Sequence, residues 1–198
     1  MADFIERRET RYALKLCAEH FPAETLLWLP CRDPALFGLL RSDAAKRVFL
    51  ADYRGRRLRA VTRALQEQGR DGLRARALGV PALDWEDGAV DVTFLPGVLS
   101  RLAVSADRRL LLSRLAEITR RALCVTARVS STRRASVAVS GLGPERAVHE
   151  EELLEDFAAV GLAPICGRRV LRLSDRRIWV LGATDDLDDG DEAAAGDQ

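Results

Sequence analysis

The sequence predicts an α/β protein with a Rossmann-like layout: a mainly parallel, seven-stranded sheet with helices on both faces and an antiparallel terminal hairpin strand. Three observations predict it. Short apolar runs alternate with amphipathic stretches along most of the 198 residues. The run TLLWLPCRDPALFGLL (Thr25–Leu40) reads as a strand (Thr25–Leu29), a tight polar loop (Pro30–Asp33) and a helix opening at Pro34. That unit makes the ligand crevice at the carboxyl end of the first strand in an open α/β sheet. The chain then closes with helix, strand, turn and strand, which adds an antiparallel edge.

Each element follows in order. Residues 3–20 form a helix with Ile5, Tyr12, Ala13, Leu16 and Cys17 near one face, and Pro22 ends the approach to the first strand. Arg47–Ala51 is a second strand, ending at Asp52. Leu58, Val61 and Leu65 recur at helical spacing until Gly69. Leu73–Leu78 is a third strand and Val90–Leu95 a fourth, entered through a turn at Asp84–Gly88. Ser105 is placed to cap a helix with Leu111, Leu115, Ile118 and Ala122 on one face. Leu123–Val129 is the fifth strand, with a short strand at Ser136–Ser140 after it. Glu150–Val160 is a helix with three glutamates in its first turn, suited to the helix dipole, and Gly161 as its stop. Strands near Ile165–Leu173 and Arg177–Leu181 flank a turn at Ser174–Asp175.

Length and pattern give one domain over residues 1–183, of which 1–22 is the N-terminal helix, followed by an acidic tail at 184–198 expected to be disordered. Seven of the 30 acidic residues lie between Thr184 and Gln198, so the 31 basic residues face 23 acidic ones elsewhere, a body charge of about +8. Such a body permits nucleic-acid contact, but 29 of the 31 basic residues are arginines beside abundant Ala, Gly and Leu. That skew reflects base composition rather than a nucleic-acid surface, and nucleic acid is not the favoured partner. No run has the roughly 18 apolar residues of a membrane span, and the charged N-terminus is unlike a signal peptide. The expectation is a cytoplasmic protein without membrane contact. Cys17, Cys31, Cys124 and Cys166 lack paired spacing, which favours free thiols over disulfides or a metal site.

Few residues carry candidate chemistry. Cys31 beside Arg32 is either an activated thiol or a small buried residue. His149 is a base on the substrate side or a surface or cap residue, and His20 packs under the first strand. Asp84, Glu86 and Asp87 read as a solvated turn. Arg128 with Ser130–Arg134 (RVSSTRR) is a candidate anion surface, without the interleaved aromatics of a base-stacking platform. Trp28, Trp85 and Trp179 are core or core-edge residues. The loop at Pro30–Asp33 has no glycine, although a nucleotide-holding loop uses glycine for a tight turn and close backbone approach.

Several segments resemble the class I S-adenosylmethionine-dependent methyltransferases, in particular the methyltransferase-11-like group, from about Thr25 to Gly182. WEDGAVDVTFLPGVLSRL (Trp85–Leu102) is similar to the family's F-x-D-G-S-F-D-x-V and following V-L-x-x-L, with Asp87, Gly88, Asp91, Val98, Leu99 and Leu102 matching. EEELLEDFAAVGLAPICGRR is similar to the late helix and strand, and RRIWVLGA to the last strand. The resemblance implies the class I methyltransferase fold and S-adenosylmethionine as cofactor if the protein is active, otherwise none. It implies cofactor positions at Pro30, Cys31, Arg32, Asp52, Tyr53, Val80 and Leu95. There the backbone of Pro30–Arg32 passes the methionine moiety, Asp52 meets the ribose, and Val80 and Leu95 flank adenine. Against the family's L-D-x-G-C-G-x-G, LLWLPCRDP keeps only Cys31. Gly79 replaces the adenine-contacting acid, and the Pro-Gly-Gly turn before the fifth strand is missing. Asp52 is either the ribose acid or a solvated strand-end aspartate. The expected function is that of a methyltransferase-like, non-catalytic relative with a degenerate cofactor site, acting through a protein partner or small ligand. The alternatives are an active methyltransferase with a small-molecule acceptor and a basic nucleic-acid-associated scaffold.

Overall fold

The computed structural model describes residues 2–21, 23–30, 45–52, 58–61, 63, 73–75, 85–131, 142–170 and 175–184. The elements are α1 (Ala2–His20), β1 (Ala23–Trp28), β2 (Ala45–Leu50), β3 (Leu73–Ala75), β4 (Val90–Pro96), a short 3-10 helix (Leu99–Arg101), α2 (Ser105–Ile118), β5 (Thr119–Ser130), β6 (Val148–His149), α3 (Glu150–Ala158), β7 (Leu162–Arg169) and β8 (Arg176–Ala183). Residues 58–61 are also helical. The helix expected at Pro34, the strand at Ser136–Ser140 and the acidic segment after Thr184 lie outside the described residues.

Seven strands follow the order β3-β2-β1-β4-β5-β8-β7, and the two-residue β6 attaches to the end of β5. β1 to β5 are parallel, while β8 runs antiparallel to both β5 and β7. The antiparallel strand is therefore inside the sheet and not at its edge. β8 buries Ile178–Gly182, whereas much of β7 is exposed, so the more apolar strand takes the place with two neighbours.

Alternation along the strands separates two cores. Leu26, Trp28, Val48, Leu50, Phe94, Cys124 and Val180 pack with Ala13 and Leu16 of α1 and with Leu58 and Val61. Leu27, Leu29, Leu95, Val125, Trp179 and Leu181 pack on the other face with Leu111 and Leu115 of α2 and Leu153 and Phe157 of α3. All three tryptophans are core or core-edge, as expected: Trp28 and Trp179 are buried, and Trp85 is partly buried against Phe49.

Two local expectations need correction. Ser105 does not cap its helix: Val104 holds that position without a side-chain bond, and the Ser105 hydroxyl donates to Asp156 of α3. The fifth strand starts at Thr119, directly after Ile118, because Thr119 is already extended; no turn separates α2 from β5. Gly161 does end the α3 region, at φ +71, where a side chain would be strained.

Two buried acids hold these layers together. Asp91 Oδ2 accepts the amides of Glu24 (2.9 Å) and Thr25 (3.0 Å) and the Thr25 hydroxyl (3.1 Å). The Asp91 amide donates back to Thr25 Oγ1 at 2.8 Å, and Arg120 reaches Oδ1 at 3.1 Å. Burial opposes ionisation of Asp91, but these donors and the Arg120 charge outweigh it and hold the carboxyl below its ordinary 3.8. Between α2 and α3, the fully buried Asp156 accepts from Ser105, from Arg108 Nε (2.6 Å) and from Arg109 Nε (2.8 Å). Buried Arg108 also bonds Glu152 and the Leu102 carbonyl (2.9 Å), so its charge is neutralised and its donors are used.

Asp91→Ala should lower the unfolding free energy by about 3 kcal/mol, read from urea midpoints, because the buried Thr25 amide and the half-buried Glu24 amide lose their acceptor. With its folded pKa depressed, the charged Asp91 contributes fully above the unfolded value of 3.8 and loses that contribution as pH falls through the folded value. The stability gap between wild type and variant should therefore narrow in that acid range. Asp156→Ala, which takes from buried Arg108 its fully buried counterion and leaves it the half-exposed Glu152, should cost about 3 kcal/mol in the same assay.

Candidate cofactor crevice

The carboxyl ends of β1, β2 and β4 meet through two backbone bonds, Leu29 N–H to Phe94 O (2.9 Å) and Ala51 N–H to Trp28 O (3.0 Å). Asp52 follows at the end of β2 and is 1% exposed. The reading of Asp52 as a solvated strand-end aspartate is thereby corrected: the residue is buried. Pro30 is buried at the end of β1, and Leu95 is buried within the α2 and α3 core. Cys31, Arg32, Tyr53 and Val80 lie outside the described residues, so of the expected set only Pro30, Asp52 and Leu95 are described.

Trp28 occupies the point in the first strand where the resemblance expects an acid. Its ring packs in the α1-side core at 5.2 Å from Phe94, and it is fully buried. The described part of the first loop offers a ligand no amide: the Leu29 N–H is spent on the sheet, and Pro30 has none.

Beyond β4 the chain turns at Gly97, which has φ +65 and donates to the Thr126 carbonyl (3.0 Å) and hydroxyl (2.9 Å). Residues 142–149 strap this end of the sheet. Leu142 bridges Leu102, Gly143 donates to Arg101 O (2.8 Å), Arg146 donates to Ser100 O (2.7 Å), and β6 pairs with Val129 and Ser130. The strap delivers His149 to the start of α3, where it makes no side-chain cap. Its Nδ1 is buried without a hydrogen-bond partner, 3.7 Å from Glu151.

α1 is fastened to the same end. Glu9 is 1% exposed, accepts from Thr126 Oγ1, and pairs with Arg176 Nη1 at 2.9 Å. Arg176 Nη2 also reaches Glu145 of the strap at 3.0 Å. One guanidinium therefore joins α1, β8 and the strap. Sequence reasoning passed over Glu9, although a signal exists: it falls at i, i+4, i+7 with Ala13 and Leu16, on the apolar face of the helix.

The remaining candidates are structural where described. Arg128 is held at 2.7 Å by Asp175, whose bonded carboxylate keeps the guanidinium more firmly protonated than usual. The rest of that expected anion surface, residues 132–134, is outside the described residues. Glu86 and Asp87 are exposed, as a solvated turn requires. Cys124 and Cys166 are free thiols.

No family model matches the sequence, and no curated protein does. Solved structures do match. The Burkholderia thailandensis 1,6-didemethyltoxoflavin-N1-methyltransferase, with 1,6-didemethyltoxoflavin and S-adenosylhomocysteine bound, aligns at TM-score 0.70 and 19% identity over 89% of this chain and 79% of its own. The chain has the class I methyltransferase fold. The N-methyltransferase NodS from Bradyrhizobium japonicum shares this fold at TM-score 0.66 and 16% identity, over 90% of this chain and 96% of its own. The [4+2]-cyclase SpnF also shares it, at 0.66 and 15%, over 87% and 80%. Among the described residues, no helix is long and apolar enough to cross a membrane.

Glu9→Ala removes the bonds by which α1 holds Thr126 and Arg176. Amide hydrogen exchange along α1 should quicken about tenfold or more, while exchange in β1 and β4 changes little.

Proposed function

We propose that this methyltransferase-fold protein is a non-catalytic relative whose crevice no longer holds S-adenosylmethionine in the family's manner, and which acts through a protein partner or a small ligand. One observation carries the reading. The backbone that leaves β1 into the crevice has its Leu29 amide bonded to Phe94 and then a proline, in a loop with no glycine up to Phe37. Arg32 adds a positive charge to that loop, which a sulfonium ligand disfavours. The first loop therefore does not fit the cofactor, and no methyl-transfer step is derived for it. The fold does not oppose this reading, since SpnF, a protein of the same fold, is named a cyclase.

A second reading, an active S-adenosylmethionine-dependent methyltransferase with an unusual first loop, is favoured by Asp52. An enclosed carboxylate at the end of β2 suits a ribose diol, since charge-assisted bonds gain strength away from water.

Calorimetric titration with S-adenosylmethionine and S-adenosylhomocysteine separates the two. The first reading expects no binding heat at several hundred micromolar ligand. Micromolar binding that Asp52→Asn abolishes would sink it and establish a working crevice.

A further inference from the structure

Among the described side chains, the exposed face of α1 is mainly basic. Of these, Phe4, Arg7, Arg8, Arg11, Lys15 and Glu19 are exposed, four cations against one carboxylate, while Glu9 points inward to Arg176. The course of β8 brings an acidic segment to this helix. β8 begins beside Glu9 and passes Cys124, whose thiol faces the Ala13 carbonyl. Being antiparallel, it ends at Ala183 by the amino ends of the parallel strands, the end at which α1 hands over to β1. From Thr184 onward the chain carries seven acidic residues and no lysine or arginine.

We propose that the acidic segment 184–198 of this same chain docks along the outer face of α1, setting its carboxylates on Arg8, Arg11 and Lys15. Length permits it: the segment's 15 residues reach about 50 Å, and α1 is about 28 Å long. Direction favours it too. Glu19 and the negative end of the α1 dipole lie nearest the root of the segment, whereas Arg8, Arg11 and the positive end draw it back towards Phe4. Since Glu9 anchors this part of α1 to Thr126 and Arg176, the docked segment runs towards the carboxyl end of β5 and the start of β8. The inference stands whether or not the crevice holds a cofactor.

Carbodiimide coupling tests it in the full chain, because the reagent joins a lysine amine to a touching carboxylate and Lys15 and Lys46 are the only lysines. Peptide mapping of the monomer at low salt should find Lys15 linked to acids of the segment at least fivefold more than Lys46 is. The yield should fall at least fivefold at about 1 M salt, where the Debye length is about 3 Å. Arg8→Glu/Arg11→Glu should reduce it as much, while the Lys15–Glu19 link, across 3.4 Å, persists as the internal control. A Lys15 joined to Glu19 alone, segment links shared evenly with Lys46, links found only between two copies, or a yield indifferent to the α1 charge reversal would each overturn the proposal.

Discussion

At the amino ends of the two central strands, Asp91 gathers two amides, a hydroxyl and a guanidinium, and the geometry at the opposite ends depends on that grip. Strand register is periodic in two residues, so a one-residue slip of β4 against β1 would turn Phe94 away from Trp28 and bring Leu95 into the α1 core. Such a slip would also break the Leu29–Phe94 bond that begins the crevice. Arg120, at the start of β5, binds both Asp91 and the Gly88 carbonyl, so the turn into β4 is tied to the same point. A carboxylate can serve as this anchor because each of its oxygens accepts more than one bond, and its charge strengthens each of them.

The other end of the sheet holds together by a different means. There α1, β8 and the strap share Arg176, and Gly97 and Thr126 knit β4 to β5. Scaffold and ligand-facing parts have separate requirements, and the chain meets them unequally. Apolar alternation and buried ion pairs maintain the scaffold irrespective of any cofactor. A phosphate- or sulfonium-binding loop needs free amides and small residues, which the backbone around Leu29 and Pro30 does not supply.

Much of the architecture was legible in the sequence because it rests on local periodicity. Leu26 to Leu29 and Val48 to Leu50 are short apolar runs, Val90 to Leu95 alternates apolar and polar residues, and the placement of Leu111, Leu115 and Ile118 marks a helix with one buried face. Strand order was less legible: that β8 takes an inner place follows from its pairing with both β5 and β7, which no local window contains. Ser105 has the chemistry of a helix cap, yet its hydroxyl goes to Asp156, 51 residues away. Asp52 illustrates the same limit. Its position after a strand was readable, but its burial was not. Asp91 was visible only as part of a resemblance, and its role emerged when Thr25 and Arg120 came to face it.

The inner position of β8 also governs the order in which the protein can be completed during synthesis. β5 and β7 are made before the strand that separates them, so until residue 183 has emerged β5 lacks its neighbour on one side and β7 has no partner strand among the described residues. Their open edges are rich in backbone donors and acceptors, and in that interval they can pair with each other or with a neighbouring chain. Completion must wait for contacts far apart in sequence, such as Glu9 with Arg176, which makes this a sheet closed by its final strand.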